Sequence, residues 1–205
     1  MKYFILIFIG LITLVICASC GLIQTSSADK EKVRIADEYG GIYVFDKAIR
    51  DEIIQREKER EEARQKVTLG DTFWEQIEAI DKNLQILSNG CKYYLKGPSK
   101  QELKENDWSL YYQKVKEYMG EEIFEKLKKG LAITSYYIDK NGKVIPITML
   151  TYISTTITTY GLYGDEGAGF RLTDRYSVDI AGDNIFYLEN GKFIKSDEKG
   201  KGARH

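Results

Sequence analysis

Three regimes of hydrophobic patterning follow one another along this chain. Tyr3 to Cys17 is an unbroken run of apolar or small residues without a charge. From Asp46 to about residue 130, apolar positions recur three and four apart, the spacing of one helical face. Beyond Leu131, short β-prone runs alternate with turn signals, as expected of paired strands.

In the helical regime, Asp46 is placed to cap a helix reaching about Lys66. Ala48, Ile49, Ile53 and Ile54 form its apolar face. Its second half, Gln55 to Lys66, is almost wholly charged and reads as a solvated helix end. Glu57–Arg60 and Glu61–Arg64 attract there at i,i+3. Gly70 breaks the chain, and Asp71 is placed to cap a second helix. Phe73, Ile77, Ile80, Leu84 and Leu87 would line one face of it. Asn89–Gly90 supplies a left-handed stop, and Cys91–Leu95 a short strand. Ser99 to Glu102 has the Ser-x-x-Glu form of a capping box. Asp107 then starts a stronger helix with Trp108, Tyr111, Val115 and Tyr118 on one face. Gly120 interrupts, and Ile123, Phe124 and Leu127 continue to a stop at Gly130. Upstream of all this, Val33–Phe45 predicts a strand or short hairpin around Gly40–Gly41.

In the strand regime, Leu131–Ile138 and Lys143–Leu150 flank Asp139-Lys140-Asn141-Gly142. Asn-Gly between two such runs predicts a hairpin with a type I′ turn. Thr151–Tyr160, Tyr176–Ile180, Ile185–Leu188 and Phe193–Ile194 complete a series of strands. Helices followed by a β-meander predict an α+β fold, the helices packed on a C-terminal antiparallel sheet. With 205 residues the chain suits one ordinary domain. Its organisation reads as a signal over 1–19, a flexible tether over 20–32, an α+β domain over 33–195, and a disordered charged tail over 196–205.

The N-terminus speaks to location. Lys2 supplies a positive n-region, the apolar run an h-region, and Ala18-Ser19 the small residues of a cleavage site before Cys20. Cysteine after two small residues resembles the lipobox of bacterial lipoproteins. The resemblance implies cleavage before Cys20, acylation of that cysteine, and attachment to the membrane through the lipid. The expectation is an exported, envelope-located lipoprotein of the outer membrane. Two alternatives stay open: cleavage by an ordinary signal peptidase, for instance after Ala28, and an uncleaved membrane anchor. After processing and acylation Cys91 is the only free thiol, so no internal disulfide forms and a buried structural thiol is expected.

A second resemblance lies further on. The stretch from Tyr118 to Leu150 is similar to part of the C-terminal domain of TonB-type proteins. There a helix ends in a Lys-Lys-Gly-like stop, and a β-hairpin carries Asp-x-Asn/Asp-Gly-Lys-Val. The matching residues are Lys128-Lys129-Gly130 and Tyr137-Ile138-Asp139-Lys140-Asn141-Gly142-Lys143-Val144. The resemblance implies a helix-plus-sheet layer. It does not extend to the family's next helix, since Thr151–Tyr160 is strand-like.

Composition narrows the chemistry. Thirty Lys and Arg against 31 Asp and Glu give a net charge of −1. With no basic excess to release phosphate counterions, nucleic acid is not an expected partner. The only histidine is His205, the last residue. Ser-His-Asp, Cys-His and His-metal mechanisms therefore lack their imidazole. No cofactor or metal motif occurs, and Asp139-Lys140-Asn141-Gly142 has its glycine in the wrong place for a calcium loop.

Two features remain. Fifteen tyrosines include the adjacent pairs Tyr93–Tyr94, Tyr111–Tyr112 and Tyr136–Tyr137. Neighbours on a strand point to opposite faces, so one of each strand pair should face outward. Tyr136 and Tyr137 are the candidate contacts for a protein or glycan partner. Gly161–Phe170, with four glycines and two acids, reads as a mobile acidic loop, and Asp165 and Glu166 are its candidate acids. The leading expectation is a non-enzymatic, lipid-anchored binding or accessory module. The alternative is a carboxylate-based hydrolase of envelope glycans, which would need two converging acids. A third reading is an accessory subunit whose sheet edge pairs with a partner strand.

Overall fold

The computed structural model describes residues 3, 7–12, 25–27, 29–165 and 169–200. Cys20, Glu166 and His205 lie outside the described residues. Two compact units divide the chain, one of residues 35–153 with 181–205 and one of residues 1–34 with 154–180. Helices and a mixed, mostly antiparallel sheet make the fold α+β.

In the larger unit the helices start where local chemistry directs them. Helix α2 (Lys47–Gln65) is capped by Asp46, whose carboxylate accepts from the Ile49 N–H at 2.9 Å. Helix α4 (Lys100–Glu105) opens on a complete capping box between Ser99 and Glu102. Helix α5 (Ser109–Met119) follows Asp107, which accepts from Ser109 N–H, and buries Trp108, Val115 and Met119. Gly120, at φ 80°, separates it from α6 (Glu121–Leu127), and a 3-10 turn over Lys128–Gly130 leads into the sheet.

Helix α3 (Phe73–Leu84) departs from expectation. Its cap position is Thr72, without a side-chain cap bond, and no residue of its apolar face is fully buried. Its apolar positions Phe73, Ile77, Ile80 and Leu84 are half-buried on one face as the spacing predicts, and ion pairs tie it to the charged half of α2. Arg60 meets Asp81 at 3.2 Å, and Arg64 grips the same carboxylate at 2.7 Å.

The sheet order is β3-β4-β5-β2-β7-β8. These strands are β2 (Gly41–Val44), β3 (Tyr93–Tyr94), β4 (Leu131–Ile138), β5 (Val144–Asp165), β7 (Asn184–Glu189) and β8 (Lys192–Lys199). The simple meander does not hold. β2 enters from the N-terminal side and lies between β5 and β7, antiparallel to the first and parallel to the second. Correspondingly, Val33–Tyr39 is not a strand but part of helix α1 (Lys30–Tyr39). Close backbone approach makes the insertion possible. A Cβ on Gly41, at φ 140°, would stand 2.1 Å from the Asn184 carbonyl oxygen. The Asn184 amide meanwhile donates to the carbonyls of Asp37 and Gly40, both at 2.8 Å. Tyr43 of β2 then stacks on Phe186 of β7 and meets Tyr118 and Phe193 edge-on.

Turn chemistry is refined rather than overturned. Residues 139–143 do close a hairpin, but only Gly142 has positive φ, so the turn is not type I′. Gly142 N–H donates to Asp139 O, and the Asp139 carboxylate accepts from the N–H groups of Asn141 and Lys143. That is a type I turn followed by a left-handed glycine. The type I′ pair is Asn190–Gly191, at φ 49° and 81°, between the paired residues Glu189 and Lys192. β8 runs to Lys199, within the stretch marked by sequence as a fraying tail, because Lys199 pairs with Asn184.

The smaller unit contains β1 (Thr25–Ser27), the far part of β5 and most of β6 (Gly169–Ala181). β1 pairs with Thr158–Tyr160, and β6 also pairs with β5. Ser154 donates to Asp179 at 2.5 Å across that ribbon. Residues 25–27 and 30–32, read from sequence as tether, are thus strand and helix. Residues 161–165 and 169–170 are strand rather than the expected acidic loop. No breaking residue interrupts the Thr-, Ile- and Tyr-rich run from Thr151 to Tyr160, so β5 continues past it, and β6 pairs with β5. Among the described residues no helix is long and apolar enough to cross a membrane.

Candidate functional site

The candidate acids fall at the edge of the described residues. Asp165 is the last residue of β5, and Glu166 lies outside the described residues, as does Cys20. Among the described residues no three His, Cys, Asp or Glu side chains stand together as a metal site.

The candidate tyrosines are packing residues. Tyr136 is 2% exposed, and its hydroxyl approaches the Glu102 carboxylate at 3.4 Å. Burial, with that carboxylate beside it, pushes the hydroxyl up to about 12. Tyr137 is half-buried against the cluster of Ile53, Leu87, Tyr93 and Ile147. Alternation acts as expected at the other strand pair: Tyr93 is fully buried while Tyr94 is half-exposed.

Tyr94 leads to an open cleft of about 390 Å³ lined by Arg60, Gln85, Lys92, Tyr94, Leu95 and Lys96. A short hairpin brings Gln85 beside Lys92. Ile86 and Lys92 bridge, Leu87 N–H donates to Cys91 O, and Gly90 turns the chain at φ 80°. Asn89 accepts from Cys91 N–H at 2.9 Å, and the Cys91 thiol is free and buried. Glu52 of α2 fixes this hairpin by accepting from the Ser88 N–H at 2.6 Å and the Ser88 hydroxyl at 2.9 Å. Burial raises the Glu52 carboxyl, but hydrogen bonds from Arg56 and Ser88 outweigh it and the net direction is down.

One wall of the cleft is held from beneath. The Tyr93 hydroxyl donates to Glu57 at 2.5 Å, and Glu57 binds Arg60, also at 2.5 Å. Burial, then the bond to Glu57, moves the Tyr93 hydroxyl upward, so it stays a donor. With Asp81 on its other side, Arg60 is oriented by two carboxylates. The floor is Tyr94, stacked on Tyr136 with ring centroids 4.9 Å apart. Lys92 and Lys96 carry their ammonium groups 5.6 and 5.9 Å from the Tyr94 ring centre. Among the described residues neither ammonium has a carboxylate within ion-pair distance.

No family model, curated protein or solved structure matches this chain. Sequence reasoning found Tyr94 only as half of a tyrosine pair, and missed Arg60, Gln85, Lys92 and Lys96. A signal was present. In Lys92-Tyr93-Tyr94-Leu95-Lys96 two lysines flank the tyrosine pair closely enough to reach one ring, and strand alternation sets Tyr94 opposite the buried Tyr93. What pattern could not supply was Arg60, 32 residues upstream of Lys92 on a helix.

Proposed function

We propose that this chain is an exported, lipid-anchored envelope protein that acts as a non-enzymatic binding module for a protein or glycan. The N-terminal order of charge, apolar run and Ala18-Ser19-Cys20 supports the location, with Cys20 as the lipid attachment point. The cleft beside Tyr94 carries the binding reading. Among the described residues it is lined by three cations, an amide, Leu95 and the Tyr94 ring, with no carboxylate or thiol and no hydroxyl but the Tyr94 phenol. Such a lining offers charge and hydrogen bonds to a ligand, but no general acid–base pair to cleave one.

The test is retention against turnover. The full chain, immobilised through a C-terminal tag, is incubated with solubilised native envelope. A binding module retains an envelope component and releases it unchanged in length. Multiple-turnover release of shortened glycan by the wild-type chain would replace this reading with a hydrolase.

A further inference from the structure

We propose that the cleft between α2 and β3 is a site for an acidic glycan, a sugar chain carrying carboxylate or phosphate groups; this deepens the binding-module reading and rests on it. Charge supplies the first argument. Arg60 and Arg64 are balanced by Glu57 and Asp81, which leaves the positive potential of Lys92 and Lys96 uncompensated at the mouth. Lys96 acts from a distance on Glu102, which is already engaged by Ser99 and Tyr136. Two ammonium groups beside the Tyr94 ring, with an oriented guanidinium lining the same cleft, form a set of donors for an anion. The anchoring network makes the guanidinium preorganised, so little ordering is lost on binding.

The shape of the site separates a glycan from an acidic peptide. A peptide recognised at a sheet edge pairs through its backbone. Here the outer side of β3 is already occupied. Tyr93 N–H donates to Gln85 O, and Ile86 bridges Lys92. A peptide docked otherwise draws most of its affinity from a few side chains enclosed in well-packed pockets. The cleft is open, and Leu95, its only aliphatic residue, is 53% exposed. Cations, the Gln85 amide and the Tyr94 ring instead suit a ligand that is polar all round. An anionic lipid headgroup shares the anionic chemistry and is separated from a glycan in the experiment.

The experiment uses the full chain in phosphatidylcholine nanodiscs and measures binding by titration calorimetry. The probes are oligogalacturonate, its fully methyl-esterified form, a phosphomannan fragment, oligoglutamate and glycerol phosphate. The expected result is binding of oligogalacturonate or phosphomannan, absence of binding to the neutral ester, and weakening as salt is raised. Lys92→Gln with Lys96→Gln, both at exposed positions, should weaken the acidic-glycan affinity by about tenfold or more. Lys100→Gln with Lys104→Gln on α4 removes the same charge elsewhere and should leave the affinity unchanged. Equal binding of oligoglutamate or glycerol phosphate, equal weakening by both lysine pairs, or no binding of either acidic glycan overturns the proposal. Envelope capture by the Lys92/Lys96 variant then separates the two levels. Undiminished capture leaves a binding module with its site elsewhere, and no capture by wild type or variant removes that reading as well.

Discussion

Tyr94 lies flat against Tyr136, with ring planes 15° apart, so a cleft-lining ring rests on a fully enclosed one. The two belong to paired strands and sit directly opposite each other in the register. Truncating the buried member should therefore act on both stability and site. Tyr136→Ala is expected to cost about 3 kcal/mol in a urea titration. Tyr94→Ala, at a half-exposed position, should cost about 1 kcal/mol. Equal costs for the two would contradict the assigned burial.

The contact between Gly41 and Asn184 joins the N-terminal strand to β7. Gly41→Ala places a methyl group into a carbonyl oxygen and strains a positive φ as well. A loss of about 2 kcal/mol or more is expected. Gly70→Ala meets open space and should be nearly silent in the same melt. An unchanged melting temperature for Gly41→Ala would disprove the insertion of β2 between β5 and β7.

Acid sensitivity should trace partly to Glu52. Although burial alone would raise it, Arg56 and Ser88 hold its folded-state pKa below the ordinary carboxylate value. The stabilisation is present above the unfolded pKa and is lost as pH falls through the lower folded one. Glu52→Gln should lower stability by about 1–2 kcal/mol at neutral pH. That gap to wild type should narrow as the solution is acidified. A gap independent of pH would show that the carboxylate charge is not involved.

Anchoring is tested at Cys20. Wild type is expected to incorporate an alkyne-labelled fatty acid, and Cys20→Ala to incorporate none. The variant should accumulate unprocessed or free of the membrane. Persistent labelling of Cys20→Ala would remove the lipid-anchor proposal without touching the cleft.

Features set by a few adjacent residues were legible in the sequence. The Asp46 cap, the Ser99–Glu102 box, the stop at Gly120 and the strand Leu131–Ile138 all appear where the local pattern places them. Each rests on hydrogen bonds or steric preferences spanning about four residues, which any chain carrying those residues would feel. The α+β class follows from the same signals taken in order. Tertiary structure alone decided the parallel pairing of β2 with β7. It rests on Gly41 meeting Asn184, a contact over a long loop whose closure no local periodicity encodes. It also decided which tyrosines are enclosed, because alternation names two faces but not which one the helices cover. The cleft has the same origin. Lys92, Tyr94 and Lys96 are neighbours in sequence, but only the packing of α2 on this segment, through the Tyr93–Glu57 hydrogen bond and the Glu57–Arg60 ion pair, brings Arg60 to them.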